Sequence, residues 1–308
     1  LRTASRGTAA GAGSSQPAQA APDRGQASTA PTGAKQRLDI AVARLGVVQS
    51  RSQAESYIRL GQVTINGRVV TKPGFLVPPG ARLQLQAHEQ YVSRAGLKLA
   101  SVAQTFGLQF DGAVVLDIGS STGGFTDYAL QHGARRVYAV DVGTDQLHPT
   151  LRGDVRICLH EKTDIRDFIP PELPTIIVGD VSFISLRQIL PHVAQHAMGP
   201  HTTLVAMVKP QFEVGKKRLA RGGVVRDPEL HVETVLAVAA HAHELGVGIN
   251  AVEASPLPGP AGNVEYFVNL RAGCGGAPTD LVGEALLAET RRAVAEGPAG
   301  CSTERRQP

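Results

Sequence analysis

The 308-residue sequence has few cysteines and no long apolar runs, the features on which disulfide-stabilised and membrane-spanning folds depend. Its three cysteines, Cys158, Cys274 and Cys301, share no short metal-binding spacing, which argues against a disulfide framework or zinc site and for a reducing compartment. No apolar run approaches the ~20 residues of a bilayer-spanning helix, and the N-terminus lacks the apolar core of a signal peptide. We therefore expect a cytoplasmic protein without a metal centre or a membrane partner.

Aromatic side chains are also scarce, since tryptophan is absent and Phe, Trp and Tyr together make up 4% of the chain. Binding sites are therefore expected to use backbone and charge more than aromatic cages. The 42% of hydrophobic and 19% of charged residues are ordinary for a globular protein. The chain is long enough for one large domain and one small one.

The net charge of +4 is concentrated towards the N-terminal side of the chain. Residues 37–86, which we call the basic module, carry seven basic side chains and two acidic ones, a net charge of +5. The rest of the chain is therefore close to neutral. A small basic unit attached to a nearly neutral body is typical of an attachment that binds a polyanion.

Composition divides the chain into five segments. Residues 1–36 are predicted to be disordered, because they have too few large apolar side chains to offset the entropy lost on ordering. The basic module follows at 37–86. Residues 87–111 are expected to be a linker and the start of a second domain, which extends over 112–271. Residues 272–308 are predicted to be a flexible tail that could include one helix.

The basic module has the pattern of two short helices followed by a β-hairpin. Apolar side chains recur at helical spacing over 38–45 and 51–60, and a glycine follows each segment where a helix C-cap would fall. Alternating β-formers over 63–70 flank Asn66-Gly67, the pair that favours a type I′ turn. A further strand is predicted over 82–86.

The motifs SR, IRLGQV and ING within residues 37–83 resemble the S4 domain, a small RNA-binding module of ribosomal protein S4 and of several RNA-modifying enzymes. The resemblance implies that basic side chains of this module contact RNA and neutralise its phosphates. The candidates are Arg44, Arg51, Arg59, Arg68 and Lys72. For any one of them, a solvated surface position is the alternative.

From residue 112 onward the pattern alternates between β and α. Strands are predicted at 113–117, 136–140, 155–158, 175–179, 203–208, 248–253 and 264–270. Helices are predicted near 123–132, 185–197 and 228–245. This alternation indicates an α/β fold with a mostly parallel seven-stranded sheet and helices on both faces. Ligands bind such sheets at the carboxyl ends of the strands.

The first of these strands leads into a glycine-rich turn, VVLDIGSSTGGFTD, at 114–127. Glycine lets the backbone approach a ligand without a Cβ in the way. The next strand ends at Asp141, whose carboxylate can accept both ribose hydroxyls of a nucleoside, and Asp164 is placed to meet an adenine amino group. This strand–loop–helix turn predicts S-adenosylmethionine (SAM) as the cofactor. The predicted binding residues are Asp117, Gly119, Ser120, Ser121, Gly123, Gly124, Phe125, Asp141 and Asp164.

Three other interpretations of the turn remain open. A dinucleotide-binding loop prefers G-x-G-x-x-G, and here Ser121 occupies the second glycine position. Residues 119–123 also match the G-x-S-x-G elbow of hydrolases, which would make Ser121 a nucleophile and require a later carboxylate and histidine. The third interpretation is a glycine-rich turn that binds nothing.

Four charged residues outside the turn are candidates for catalysis. Asp180 and Lys209 directly follow apolar strands, a position where charged side chains are often functional. Lys98 lies in YVSRAGLKL and Glu265 opens EYFVNL. An ordinary solvated loop position is the alternative for each residue taken alone. In this order and setting, the four resemble the Lys-Asp-Lys-Glu tetrad of FtsJ-type ribose 2′-O-methyltransferases.

The whole arrangement resembles the TlyA family, the haemolysin-named rRNA methyltransferases. Besides the S4-like module and the turn, the matching segments are DVSFISL (180–186), VKPQFEVG (208–215), GGVVRDP (222–228) and GNVEYF (262–267). The resemblance implies a Rossmann-like SAM-dependent methyltransferase fold preceded by a small α+β S4 domain. It also implies 2′-O-methylation of cytidines in small- and large-subunit rRNA. Ribosomal RNA or ribosomal subunits, and not DNA, would be the partners.

The residue types fit this chemistry. A sulfonium methyl is already a strong electrophile, whereas a ribose 2′-hydroxyl is a very weak acid and has to be oriented and deprotonated. A lysine can act as a base only when its amine is partly neutral, which burial and a neighbouring cation favour. We predict that Lys209 is the base or the orienting group and that Asp180 positions it. Lys98 and Glu265 would balance the charge and hold the ribose.

Three other functions remain open. A membrane-active haemolysin would need a spanning segment or a basic amphipathic helix, and neither is obvious. A catalytically silent ribosome-assembly factor would not need the cofactor turn and the four charged residues. A methyltransferase acting on small molecules would not need the basic module.

Overall fold

A computed structural model describes residues 26–29, 35–48, 50–86, 91–273 and 280–299. Within these ranges the basic module is followed by an α/β domain that holds a seven-stranded sheet. Cys158 is a free thiol, and the other two cysteines lie outside the described residues.

The basic module folds into two helices and short antiparallel strands. Helices α1 and α2 span Leu38–Arg44 and Arg51–Arg59. The strands, which include residues just ahead of the module, are β1 (Gln26–Thr29), β2 (Gln36–Arg37), β3 (Val63–Ile65), β4 (Arg68–Val69), β5 (Leu76–Val77) and β6 (Arg82–Leu85). Strands β1, β6, β3 and β4 form one sheet in that order, and β2 pairs with β5. The two predicted helices, the hairpin and the last strand of the module all appear within a few residues of their expected bounds.

Strand β1 lies within the segment 1–36 that was expected to be disordered. Its backbone pairs antiparallel with β6, so the expectation is wrong for residues 26–29, and residues 1–25 lie outside the described part. The physical reason is that a sheet edge offers unpaired N–H and C=O groups to any extended segment. Backbone pairing of this kind needs no apolar side chains, so the composition of the segment gave no sign of it.

Local sequence signals account for the module's turns and caps. Ser50 caps α2 by accepting a hydrogen bond from the backbone N–H of Gln53 at 3.2 Å. Asn66 and Gly67 adopt φ angles of 50° and 77°, as a type I′ turn requires at both central positions. The helix-and-hairpin pattern of the sequence is therefore confirmed in detail.

The α/β domain is built on a seven-stranded sheet. Its strands are β7 (Val114–Ile118), β8 (Arg136–Val140), β9 (Ile157–His160), β10 (Ile176–Gly179), β11 (Thr203–Val208), β12 (Val247–Ala254) and β13 (Tyr266–Ala272). Their order across the sheet is β12-β13-β11-β10-β7-β8-β9. Strand β13 runs antiparallel to the other six. The mostly parallel α/β fold expected from the sequence is thereby confirmed.

Six helices cover the sheet within the described residues. They are α3 (Arg94–Ala103), α4 (Gly124–Gln131), α5 (Leu186–His196), α6 (Pro210–Glu213), α7 (Pro228–Glu244) and α8 (Gly283–Glu296). Helix α3 lies in the segment 87–111, expected to be a linker and the start of the second domain, and packs on α4. Helix α8 lies in the segment expected to be a flexible tail, but it buries Leu286, Ala293 and Val294 against α7 and β12. An amphipathic segment becomes a fixed helix when a partner surface covers its apolar side.

The two faces of the sheet carry separate apolar cores. Alternate residues of β7 show this, since Val115 packs on the α3 and α4 side while Leu116 packs with α5 and α7. The first core continues without a break into the basic module, where it includes Tyr57 and Leu83. The module is therefore packed against the α/β domain.

Four parallel strands end at one edge of the sheet. Strands β7, β8, β10 and β11 run in the same direction, so the residues that follow them meet there. The glycine-rich turn follows β7, Asp141 follows β8, Asp180 follows β10, and Lys209 follows β11. This edge brings together residues from four separate parts of the chain.

Candidate active site

The glycine-rich turn is held against the neighbouring strand by its own backbone. Gly119 N–H donates to the carbonyl of Val140 at 2.8 Å, and Gly123 N–H donates to the carbonyl of Ser120 at 2.7 Å. Gly119 has a φ of 79°, and a Cβ at this position would lie 3.2 Å from the carbonyl oxygen of Asp180. Only glycine combines this backbone conformation with so close an approach. Ser121 also has a positive φ, 46°, which is uncommon for a residue with a side chain.

A smaller cavity of about 430 Å³ opens beside this turn. Gly119, Ser121, Asp141 and Asp164 line it. The two oxygens of Asp141 accept hydrogen bonds from the backbone N–H groups of Ser121 at 2.8 Å and Gly143 at 2.7 Å. The structure therefore places both predicted carboxylates at the cavity wall.

Asp164 is already engaged by its neighbour on the chain. Its carboxylate accepts from the Arg166 guanidinium at 2.6 Å and from the Arg166 backbone N–H at 2.9 Å. The side-chain hydrogen bond from Arg166 holds the pKa of Asp164 below its usual value. Asp164 is therefore an ionised acceptor at the cavity wall.

A larger cavity of about 790 Å³ lies on the other side of the turn. All four predicted catalytic residues line it, and it contacts Asp117, Ser120 and Phe125 of the turn region. Residues that line both cavities form a common wall, and these are Gly119, Ser121, Asp180, Ser182, Phe183 and Ile184. Ligands in the two cavities would therefore meet at this wall.

The four charged residues form one chain of ion pairs. Lys98 Nζ lies 2.6 Å from Glu265 Oε2 and 3.9 Å from Asp180 Oδ2. Lys209 Nζ lies 2.7 Å from the other oxygen of Asp180. The side chains of Lys98, Glu265 and Lys209 are less than one-tenth exposed. Two cations and two anions are thus buried together with their charges balanced.

Two carboxyl groups at the cavity walls have shifted pKa values in opposite directions. Burial alone would raise the pKa of Asp180, but the charges of Lys98 and Lys209 outweigh this effect and hold it below the usual value. Burial raises the pKa of Asp117 to about 7, although the hydrogen bond from Thr126 Oγ1 at 2.6 Å opposes the rise. The two lysines therefore favour the ionised form of Asp180, while burial favours the protonated form of Asp117.

Two glycines of the turn, predicted to bind the cofactor, line neither cavity. A Cβ on Gly123 would lie 2.6 Å from the side chains of Leu147 and Leu151. A Cβ on Gly124 would lie 2.7 Å from Ala95 Cβ at the start of α3. These glycines make room for protein packing, and their assignment to the cofactor stays a prediction.

The hydrolase interpretation of the turn finds no catalytic partner for its serine among the described residues. Ser121 Oγ donates to Gln146 Oε1 at 3.1 Å. His231, in α7, is buried and hydrogen-bonded to the carbonyl of Val225 and the hydroxyl of Tyr266. A nucleophilic serine needs a base within hydrogen-bonding distance. The described residues give Ser121 an amide instead of an imidazole.

Three residues that sequence reasoning did not select belong to the site. Ser182 Oγ accepts a hydrogen bond from Lys209 Nζ at 2.8 Å, and Gln211 Nε2 donates to Glu265 Oε1 at 3.3 Å. Phe183, 91% exposed, lies at the common wall with its ring 5.3 Å from that of Phe212. The sequence did offer one indication of their role, because each of the three lies within three residues of Asp180 or Lys209 along the chain.

The five candidate RNA-binding residues of the basic module differ in how free they are. Arg51 pairs with the buried carboxylate of Asp39 at 2.7 Å, and Arg44 donates to Gln36 Oε1 at 2.7 Å. The other three candidates are exposed and have no ion pair with a described residue; they are Arg59, Arg68 and Lys72. Arg51 is therefore partly a structural residue, which its position in the sequence did not reveal.

Comparison with known families assigns both parts of the chain. Residues 91–272 match the model of the FtsJ-like methyltransferase domain, and residues 36–83 match the S4 domain. The chain belongs to the FtsJ-like methyltransferase family. The FtsJ-like match begins before α3 and ends at β13, so it includes all four residues of the ion-pair chain.

Relatives of this FtsJ-like protein carry two kinds of name. It is 42% identical to the 16S/23S rRNA (cytidine-2′-O)-methyltransferase TlyA of Mycobacterium tuberculosis (strain ATCC 25618 / H37Rv), over 85% of this chain and 98% of that protein. It is 36% identical to Hemolysin A of Brachyspira hyodysenteriae, over 76% of this chain and 98% of that protein. A solved structure from Streptococcus thermophilus that carries a hemolysin name matches with a TM-score of 0.64 and 36% identity, covering 89% and 99%.

The described part of the FtsJ-like protein lacks membrane-spanning and metal-binding features. It contains no helix that is both long and apolar enough to span a bilayer. Nor do the described residues include a group of three or more His, Cys, Asp or Glu side chains that could hold a metal ion.

Proposed function

We propose that this protein transfers a methyl group from SAM to the ribose 2′-oxygen of cytidines in small- and large-subunit rRNA. The observation that carries the proposal is the ion-pair chain of Lys98, Asp180, Lys209 and Glu265. All four residues line the larger cavity, and Asp180 also lines the smaller one. A relative at 42% identity is named for this reaction. The S4 match supports RNA as the substrate.

The residues around the smaller cavity and the common wall fit SAM. Each oxygen of Asp141 accepts one backbone N–H and keeps a lone pair for a ribose hydroxyl. Asp117 Oδ1 and Ser120 Oγ, in residues that line the larger cavity beside the common wall, are buried without a hydrogen-bond partner among the described residues. Such atoms are costly unless a ligand satisfies them, and the ammonium group of SAM is a suitable donor.

The larger cavity fits the acceptor ribose. When bound, SAM supplies a methyl group on a positively charged sulfur, so no residue has to protonate the leaving group. Lys209 Nζ is fixed between Asp180 and Ser182, where it can hold the 2′-oxygen at the common wall. The 2′-hydroxyl proton passes to the Lys209 amine or, if that group is an ammonium, to water. In either case Lys209 stabilises the negative charge that develops on the oxygen.

The other members of the ion-pair chain keep this lysine in place. Asp180 remains ionised because two cations hold its pKa low, despite the opposing effect of burial. Glu265 neutralises Lys98, and Gln211 in turn donates to Glu265. Glu265 therefore leaves Asp180 to balance the charge of Lys209, and Lys98 and Glu265 together would support the ribose.

The proposal is tested by incubating the protein with radiolabelled SAM and isolated ribosomal subunits, and by mapping the labelled nucleotide. We expect label on a cytidine ribose, recognised because 2′-O-methylation blocks alkaline cleavage at that position. Lys209→Ala should lower the rate ~10²- to 10⁴-fold, the range for loss of a proton-transfer group. Lys209→Arg separates the two proton routes: it should fail if the amine takes the proton, because a guanidinium does not deprotonate in proteins, and should keep part of the rate if water takes it. Lys35→Ala, at an exposed site outside both cavities, is the control.

Other outcomes would identify a different function. Label on a base would refute ribose methylation, and RNA binding without label would indicate an assembly factor. Methylation at the wild-type rate by Lys209→Ala would refute the assigned role of Lys209. Lysis of erythrocytes by the wild type and by Lys209→Ala alike would show a membrane activity separate from this site.

A further inference from the structure

A third cavity, of about 310 Å³, lies between the basic module and the α/β domain, and we call it the interdomain niche. Helix α2 contributes Arg59 and Glu55, helix α3 contributes Arg94, and residues 257–262 close the far side. The niche thus exists only because the basic module packs on the α/β domain.

Two guanidinium groups in the niche have no ion-pair partner in the described part of the chain. Neither Arg59 nor Arg94 has a side-chain hydrogen bond or a carboxylate within 4.0 Å among the described residues. Arg51, about two turns earlier than Arg59 on the same helix, is paired with both Asp39 and Glu55. Glu55 lines the niche too, but its charge is offset by Arg51 at 3.7 Å. The niche therefore has an excess of positive charge.

Guanidinium groups that line a cavity match a ligand with several oxygen atoms and negative charge. The planar fork of arginine binds phosphate oxygens with two parallel hydrogen bonds. Of the described residues that line the niche, Glu55 alone would repel such a ligand. The niche is therefore suited to a phosphate group.

The niche adjoins the larger cavity. Arg94, Gly259 and Pro260 line both of them. A ribose in the larger cavity has phosphates bonded to its 3′- and 5′-oxygens, and these must leave along the cavity margin. The margin that leads to the basic module passes Arg94 and enters the niche.

We propose that the interdomain niche binds one backbone phosphate of the RNA strand that enters the larger cavity, through the guanidinium groups of Arg59 and Arg94. The inference rests on the proposed function for the identity of the strand. One phosphate held from both sides fixes the spacing between the RNA contact of the basic module and the ribose at Lys209. The module then positions the substrate as well as binding it.

The test measures the affinity of the full-length protein for the rRNA that the wild type methylates, over a series of salt concentrations. The variants are Arg59→Gln, Arg94→Gln and the double variant, with Arg291→Gln on the surface of α8 as the control. Each single variant should weaken binding ~10-fold, the loss typical of one charged hydrogen-bonding group. The double variant should lose less than the product of the single losses, because both arginines hold the same group.

The salt dependence counts the phosphates. One lost contact should reduce the slope of log K against log salt by about 0.7 to 0.9 in the double variant, and two separate contacts by about twice that. Arg94→Lys should keep the slope, because the charge remains, while losing part of the affinity. SAM affinity and melting temperature should stay at wild-type values, since neither guanidinium holds another described side chain.

Distinct results overturn the niche and the proposed function. A wild-type slope in the double variant, with normal methylation by the wild type, would overturn the niche alone. Multiplicative losses with a doubled slope change would overturn the sharing of one phosphate. Inorganic phosphate that stabilises the wild type but not the double variant, with the RNA slope unchanged, would show that the niche takes a free anion. No methylation of any rRNA by the wild type would overturn the proposed function, and the RNA ligand with it.

Discussion

Glu265→Gln should destabilise the α/β domain by leaving a buried charge without its partner. Lys98 Nζ and Glu265 Oε2 are 2.6 Å apart, and their side chains are 5% and 2% exposed. Breaking a buried ion pair by removing one partner typically costs about 3–5 kcal/mol. Asp180, 3.9 Å from Lys98, still compensates part of the charge. We therefore expect a loss of stability near the lower end of that range, about 3 kcal/mol.

Thermal unfolding followed by circular dichroism measures this loss. For a domain of this size, about 3 kcal/mol corresponds to a fall in Tm of about 6–12 °C. Glu284→Gln, at an exposed position of α8, is the matched control and should change the stability by less than about 0.5 kcal/mol.

A second substitution separates the loss of charge balance from a loss of packing. Combining Glu265→Gln with Lys98→Met removes the uncompensated cation and keeps an apolar side chain of similar length. The double variant should therefore melt above the single variant. A wild-type Tm for Glu265→Gln, or a double variant that melts below it, would refute the reasoning.

Three further predictions concern other residues. Because burial raises the pKa of Asp117 to about 7, the folded protein keeps a proton that the unfolded chain releases, and the free energy of unfolding should fall as pH rises from about 4 to 7. Asp117→Asn should flatten that pH profile. Calorimetry should show the wild-type affinity for SAM rising through pH 7 as the carboxylate forms. Burial raises the pKa of Asp39, but hydrogen bonds from Arg37 and Arg51 outweigh this effect and lower the pKa to about 2. The ionised carboxylate therefore contributes about 2 kcal/mol of stability above pH ~4, and this contribution should be lost as pH falls towards 2. It should be absent at every pH in Asp39→Asn. Gly124→Ala should lower the free energy of unfolding by about 1–3 kcal/mol, because the new Cβ would lie 2.8 Å from the backbone nitrogen of Gly96, and an unchanged denaturant midpoint would contradict this.

Most of the secondary structure could be predicted because its causes are local. All seven strands of the sheet lie within about two residues of their expected bounds, since each is a short apolar run with turn residues on both sides. Helices α3 and α8 were missed or left uncertain for the opposite reason. What fixes them is burial against α4, α7 and β12, which lie elsewhere in the chain.

Residue type predicted the chemistry of the site, but not the role of every residue. A glycine that admits a ligand and one that admits a helix look the same in sequence, so Gly124 was assigned to the cofactor although it faces α3. An arginine that binds phosphate and one that neutralises a buried acid also look the same. Arg51 was therefore assigned to RNA although Asp39 occupies much of its guanidinium. Partners of this kind are known only once distant segments are in contact.

The sequence by itself determined which elements form, their order, and the acidic and basic side chains that follow the strands at one edge of the sheet. Only the tertiary structure decided which of these side chains share a site. Lys98 and Glu265 are 167 residues apart in the chain and 2.6 Å apart in space. That contact depends on the strand order, in which β13 is inserted beside β11, and on the packing of α3 over the same edge. Both are set by burial of the whole sheet, a property of the assembled core that no local pattern of residues contains.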